Sequence, residues 1–147
     1  MDKKNKKKFH ILLVEDNEGD IVLTLEALGE IKLEKTISVA RDGEEALAYL
    51  NKEGNFEDAV SPNLILLDIN LPRVDGKEVL KYIKTHPVLK KIPVIVLTTS
   101  HSQTDINESY SSYANYYVTK PVDLESFFAL AKSVEEHWLS VVKFPSI

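Results

Sequence analysis

Short apolar runs recur along this chain, and each stops abruptly at a polar or charged residue. Phe9–Val14 runs into Glu15-Asp16-Asn17, Leu64–Leu67 into Asp68, Pro93–Leu97 into Thr98-Thr99-Ser100, and Tyr116–Thr119 into Lys120-Pro121. Thr36–Ala40 is a further short run of the same kind. Runs this short and this aliphatic read as strands buried on both faces. Longer segments with helical periodicity lie between them. One follows Asn17, with Ile21, Leu25 and Leu28 on one face. A second opens at Asp42-Gly43-Glu44-Glu45, with acids in the first turn where the helix dipole favours them, and continues through Ala46, Leu47 and Leu50. Lys52–Pro62 is a polar loop. Gly76–Thr85 carries Val79, Leu80 and Ile83 on one side and is stopped by His86-Pro87. Asp105–Tyr113 is a weaker helix, and Leu124–Lys143 is a long last one with Phe127, Leu130, Val134, Trp138 and Val142 along one stripe.

Strand and helix thus alternate five times along 147 residues, which leaves no spare segment for a second domain. Alternation at this spacing implies parallel pairing through right-handed crossovers. The predicted fold is α/β: a five-stranded, doubly wound parallel sheet with five helices, the last one extended. In such sheets the functional site lies outside the carboxyl ends of the strands, and those ends are where the polar residues fall.

Charge and composition narrow the function classes. The net charge is −5, but residues 2–8 (DKKNKKK) contribute +4, so the remainder carries −9. An acidic body argues against a nucleic-acid surface. The Lys3–Lys8 run reads as a solvated tail, with an anionic-surface or nuclear address as the alternative. Cysteine is absent, which removes disulfides, thiolate metal sites and cysteine nucleophiles together. No apolar run reaches the roughly 18 residues of a membrane span, and Ile11–Val14 meets Glu15-Asp16 too soon for a signal peptide. The expected setting is cytoplasmic, with no membrane partner.

The strand ends would bring Glu15, Asp16, Asp68, Thr98 and Lys120 to one edge. Clustered carboxylates repel unless a cation joins them. A hard divalent ion with oxygen ligands, such as Mg²⁺, suits such a cluster. Lys120 and Thr98 would then supply a positive charge and a hydroxyl to a phosphoryl group. Each residue alone has a plainer explanation. Asp16 could simply cap a helix, Thr98 could be a turn hydroxyl, and Lys120 could be a surface lysine. Asp68 resists that treatment, because Ile69-Asn70-Leu71-Pro72 follows it rather than a helix.

The segments ILLVEDN (11–17), LILLDINLPRVDG (64–76), PVIVLTTS (93–100) and YVTKP (117–121) together resemble the receiver domains of two-component response regulators, the chemotaxis-regulator-like family. The resemblance covers roughly residues 9–140 and includes the thirty positions from Asp68 to Thr98 and the twenty-two from there to Lys120. It implies a flavodoxin-like strand order 2-1-3-4-5 and a receiver domain over 9–147, after the lysine-rich residues 1–8, whose composition reads as a basic disordered tail. It makes Asp68 the acceptor of a phosphoryl group from a sensor histidine kinase. Glu15, Asp16 and Asp68, with the backbone carbonyl of Asn70, would hold Mg²⁺. Thr98 and Lys120 would serve the phosphoryl group, Thr98 and Tyr117 would form the switch, and Pro121 would make a cis bond after Lys120. Thr99 stands where relatives usually carry a small residue. The LDINLPRVDG and LTTS segments and the long last helix look most like the stand-alone receivers of bacterial, notably cyanobacterial, phytochrome kinases.

No effector domain is expected after the last helix, so the output would be a change of partner or of oligomeric state. The tail Trp138-Leu139-Ser140-Val141-Val142 is apolar on more than one face. A homodimer interface there would use Trp138, Val141 and Val142, with Tyr110, Tyr113 and Tyr116 as neighbouring anchors. The alternative is that Trp138 and Val142 only continue the core stripe. Two other functions compete. A Mg²⁺-dependent aspartyl phosphatase or phosphotransferase of the haloacid-dehalogenase type usually wants a second Asp two positions after the first, where this chain has Asn70. A flavodoxin-like cofactor protein is disfavoured by Gly-poor turns and by the acidic pair, which would repel a cofactor phosphate.

Overall fold

The structure is a computed structural model that describes residues 9–31, 34–98, 116–120, 123–133 and 135–136. Five strands, β1 (Phe9–Val14), β2 (Lys35–Ala40), β3 (Leu64–Asp68), β4 (Val94–Thr98) and β5 (Tyr116–Thr119), form one sheet in the order β2-β1-β3-β4-β5. All four pairings are parallel, as the aliphatic runs required. Four α-helices are described: α1 (Glu18–Leu28), α2 (Gly43–Leu50), α3 (Gly76–Thr85) and α4 (Leu124–Ser133). The segment expected to be a weak helix over 105–113 lies outside the described residues, as do Trp138, Val141, Val142, Tyr110, Tyr113 and the Lys120–Pro121 bond.

The sheet divides the core in two because successive strand residues point to opposite faces. Leu12, Val14, Ile65, Leu67, Val94 and Val96 face α2 and α3, where they meet Ala46, Leu50, Val79, Leu80 and Ile83. Ile11, Leu13, Leu64, Leu66, Ile95 and Leu97 face α1 and α4, where they meet Ile21, Ala27, Leu28, Phe127 and Ala131. The edge strand β2 is only partly covered. At the edge away from the strand ends, burial pushes the His10 imidazole below its usual pKa. Its Nε2 lies 2.8 Å from the Tyr49 hydroxyl, which itself donates to the Val60 carbonyl at 2.9 Å.

One stripe differs from the periodicity. The helical spacing predicts Leu25 on the buried face of α1 with Ile21 and Leu28, yet it is 36% exposed. The buried residues are Ile21, Thr24, Ala27 and Leu28. Helix α1 packs against α4 as well as the sheet, and that second partner turns the buried arc toward Ala27 and Thr24. The Thr24 hydroxyl donates to the Asp20 carbonyl at 2.7 Å, so it enters the core with its donor satisfied.

All four helices start at an Asx cap in the loop after a strand. Asn17 accepts from the Asp20 amide at 2.9 Å, Asp42 from Glu45 at 2.7 Å, Asp75 from Lys77 at 3.2 Å and Asp123 from Ser126 at 2.8 Å. Each cap satisfies an amide with no partner inside its own helix. The α3 start is pressed against the end of β3: a Cβ on Gly76 would fall 2.6 Å from the Asp68 carbonyl oxygen and 2.5 Å from that of Ile69. The Gly76→Ala variant is therefore expected to lose about 1–3 kcal/mol of stability by overpacking. Urea unfolding checks this, and a variant as stable as wild type would contradict the close approach.

Candidate functional site

Register fixes which strand ends meet. Val14 pairs with Leu67, Asp68 with Leu97, and Thr98 with Thr119. Glu15, Asp68, Thr98 and Lys120 thus leave four adjacent or alternate strands at one edge of the sheet. Glu15 and Asp68 are buried, at 1% and 2% exposure, while Asp16 is exposed. One carboxylate oxygen from each of Glu15, Asp16 and Asp68 can be chosen so that all three lie within 4.8 Å of one another.

Lys120 holds the cluster together. Its ammonium lies 3.1 Å from Glu15 Oε1, 3.1 Å from Asp68 Oδ2 and 3.1 Å from Asp20 Oδ2. The ammonium also reaches Glu15 Oε2 at 3.2 Å, and backbone amides of the loops hold the carboxylates as well. The Asn17 N–H donates to Glu15 Oε2 at 3.1 Å, and the Asn70 N–H donates to Asp68 Oδ1 at 3.1 Å. These local bonds are short-range turns of the kind that Asp and Glu make with amides two residues on. They orient each carboxylate before any ligand arrives.

The electrostatics remain uneven. Burial, followed by the nearby Asp68 charge, pushes the Glu15 carboxyl up to about 7, and Lys120 only partly offsets this. Burial opposes the Lys120 charge as well, but the Asp68 and Glu15 carboxylates outweigh it and hold the ammonium above its usual range. One ammonium thus serves three acids, Glu15, Asp20 and Asp68, with the Asp16 carboxylate grouped beside two of them. That donor set fits a hard divalent cation, since carboxylate oxygens from different strands converge and the local charge is negative.

Most of the expected residues assemble here. Asn70 stands beside Asp68 through its amide, exposed to solvent. Of Thr98, Tyr116 and Tyr117 the backbone alone is described: Thr98 ends β4 at this edge, whereas Tyr116 begins β5 opposite Ile95 and Tyr117 follows it opposite Val96. Sequence reasoning missed Asp20. It sits in the first turn of α1, where an acid is expected for the helix dipole alone, so the sequence carried no signal of its contact with Lys120.

The raised Glu15 pKa sets a pH dependence for the metal-free protein. The folded-state value lies above the unfolded one, so the folded form bears the cost of the Glu15 charge above about pH 7 and escapes it near pH 4.5. Glu15→Gln should stabilise the metal-free protein at pH 8 by a few kcal/mol, at about 1.4 kcal/mol per pH unit of displacement. The gain should shrink as pH falls toward 5. Thermal melts in chelator from pH 5 to 8 check this, and a gain independent of pH would contradict it.

Residues 11–132 match the family profile described as response regulator receiver domain. The chain is 45% identical over 136 residues to the response regulator Rcp1 of Synechocystis sp., covering 92% of both chains. It is 41% identical over 138 residues to a probable methanogenesis regulatory protein, FilR2, of Methanothrix harundinacea, covering 93% of this chain and 88% of that one. Among solved structures, it resembles the phosphorylated cyanobacterial phytochrome response regulator RcpA with a TM-score of 0.88 and 48% identity, over 95% of this chain and all of that one. It resembles the Mn²⁺-bound form of Rcp1 with a TM-score of 0.86 and 44% identity, over 94% of this chain and 99% of that one.

Proposed function

Because the chain belongs to the response regulator receiver family of two-component systems, we propose that Asp68 accepts its phosphoryl group from the phosphohistidine of a sensor histidine kinase. The observation that carries this is the setting of the Asp68 carboxylate: buried at the carboxyl end of β3, with one oxygen on the Asn70 amide and the other on Lys120. An Asp68 oxygen forms the new O–P bond as the P–N bond breaks, and the leaving imidazole takes a proton from solvent. Lys120 stays within reach of the charge that develops on the phosphoryl oxygens. Glu15, Asp16, Asp68 and the Asn70 carbonyl would hold a divalent ion, Mg²⁺ in this proposal. When bound, that ion supplies the positive charge that cancels repulsion between the carboxylates and the incoming phosphoryl group.

The phosphorylated carboxylate would bias Thr98, the last residue of β4, and Tyr117, on the neighbouring strand β5, and so change the partners that the domain holds. The chemistry is limited to its own phosphorylation and dephosphorylation. The similarity to a cyanobacterial phytochrome response regulator supports a phytochrome as the sensor kinase and the cytoplasm as the setting; among the described residues no helix is long and apolar enough to cross a membrane. Residues 1–8 would be a basic tail and 9–147 the receiver domain. A homodimer would use Trp138, Val141 and Val142 with Tyr110, Tyr113 and Tyr116, supported by the apolar excess in that sequence. The haloacid-dehalogenase alternative has no support beside the receiver match.

Asp68→Asn should abolish incorporation of an acid-labile, base-labile phosphoryl group from acetyl phosphate in Mg²⁺, while the circular dichroism spectrum stays that of wild type. Intact-mass spectrometry checks this. Retained labelling in a folded Asp68→Asn protein would place the acceptor elsewhere.

A further inference from the structure

Lys120 has three ammonium N–H groups and three carboxylate partners, Glu15, Asp68 and Asp20. The first two are buried, at 2% and 3% side-chain exposure, and belong to the proposed phosphorylation site. Asp20 differs from them in place and setting. It comes from the first turn of α1 rather than from a strand end, and its side chain is 27% exposed. It is not among the acids whose oxygens converge for a metal ion, which among the described residues are Glu15, Asp16 and Asp68. Its backbone amide is held by the Asn17 cap at 2.9 Å and its carbonyl by the Thr24 hydroxyl at 2.7 Å, so the position of the residue is fixed from both sides.

We propose that Asp20 is a positioning residue for phosphoryl transfer: it holds Lys120 from the solvent side and competes with the incoming phosphoryl group for its ammonium. The inference rests on the assignment of Asp68 as acceptor. An ammonium with all three N–H groups engaged must give up at least one carboxylate to bond a phosphoryl oxygen. Glu15 is buried beside Asp68 at 2% side-chain exposure, so water cannot take the place of Lys120 there once the contact is released. Asp20 is the partner that water can take over, because it is the most exposed of the three. The Asp20 charge also lies one ammonium away from Asp68, and phosphorylation adds about one negative charge there. Asp20 therefore opposes the phosphorylated state both as a competitor and as a like charge, and acts as a brake.

The test uses the full chain with acetyl phosphate at saturating Mg²⁺, following the Asp68 adduct by intact mass. Asp20→Asn should be phosphorylated about threefold to tenfold faster than wild type, the size expected for one partly screened charge at this range. Asp20→Glu, which keeps the charge, should return the rate toward wild type. The advantage of Asp20→Asn should shrink at 1 M salt, where exposed charges are screened within about 3 Å; a purely structural perturbation would not be relieved by salt. In the metal-free protein, the Lys120 ammonium protons should exchange faster in Asp20→Asn than in wild type, read by nitrogen-detected NMR. An Asp20→Asn rate equal to or slower than wild type, or ammonium exchange that does not change, would overturn the role of Asp20. A wild-type protein that takes no label at Asp68 would instead overturn the acceptor assignment.

Discussion

The charge on Lys120 is the interaction on which the site depends. A parallel sheet brings its strand ends to one edge, and here those ends carry Glu15 and Asp68 into positions almost without solvent. Two ionised carboxylates in that setting would be costly without a cation. Lys120, from the end of β5, reaches across to both and to Asp20 at 3.1 Å each. It ties the last strand to the first, the third and to α1, over sequence separations of 105 and 52 residues to Glu15 and Asp68. The same contact leaves the cluster negative, with Glu15 the group that bears the strain. Stability and ligand binding thus draw on one arrangement.

The loops around the site are fixed by short-range bonds rather than by core packing. Asn17 and Asn70 hold the two buried carboxylates through their amides, and the Asx caps seat each following helix. The loop after β3 is clamped further. Gly43 at the start of α2 has no room for a side chain against the Val74 carbonyl, at 2.0 Å from an added Cβ. Within the same loop Arg73 takes a positive φ of 65° and lies 3.5 Å from Asp42. These contacts give the buried Asp68 carboxylate a stiff frame, the kind of support a precisely placed side chain needs.

Much of this was legible in the sequence. Aliphatic runs of two-sided burial gave the strands and their parallel pairing, and β5 and α3 fall where the runs and stops place them. Glu15, Asp68 and Lys120 were readable because a strand end has one direction to point. Two features were not. Leu25 fits the helical stripe on spacing alone, and its exposure follows from the side on which α4 packs, which periodicity along α1 does not encode. Asp20 reads as an ordinary first-turn acid favoured by the helix dipole. Its link to Lys120 exists only once the sheet order sets β5 on the far side of β3 and β4 from β1.

Lys120 and a divalent cation would compensate the same excess of negative charge at this edge of the sheet. Thermal unfolding of wild type and Lys120→Met along a Mg²⁺ titration tests it most directly. Without metal, Lys120→Met should melt below wild type, because Glu15 and Asp68 lose the cation they share. Mg²⁺ should then raise the melting temperature of both proteins and raise that of Lys120→Met by more, since the ion replaces the missing charge. Equal melting temperatures in chelator, or an equal Mg²⁺ response in the two proteins, would contradict the account.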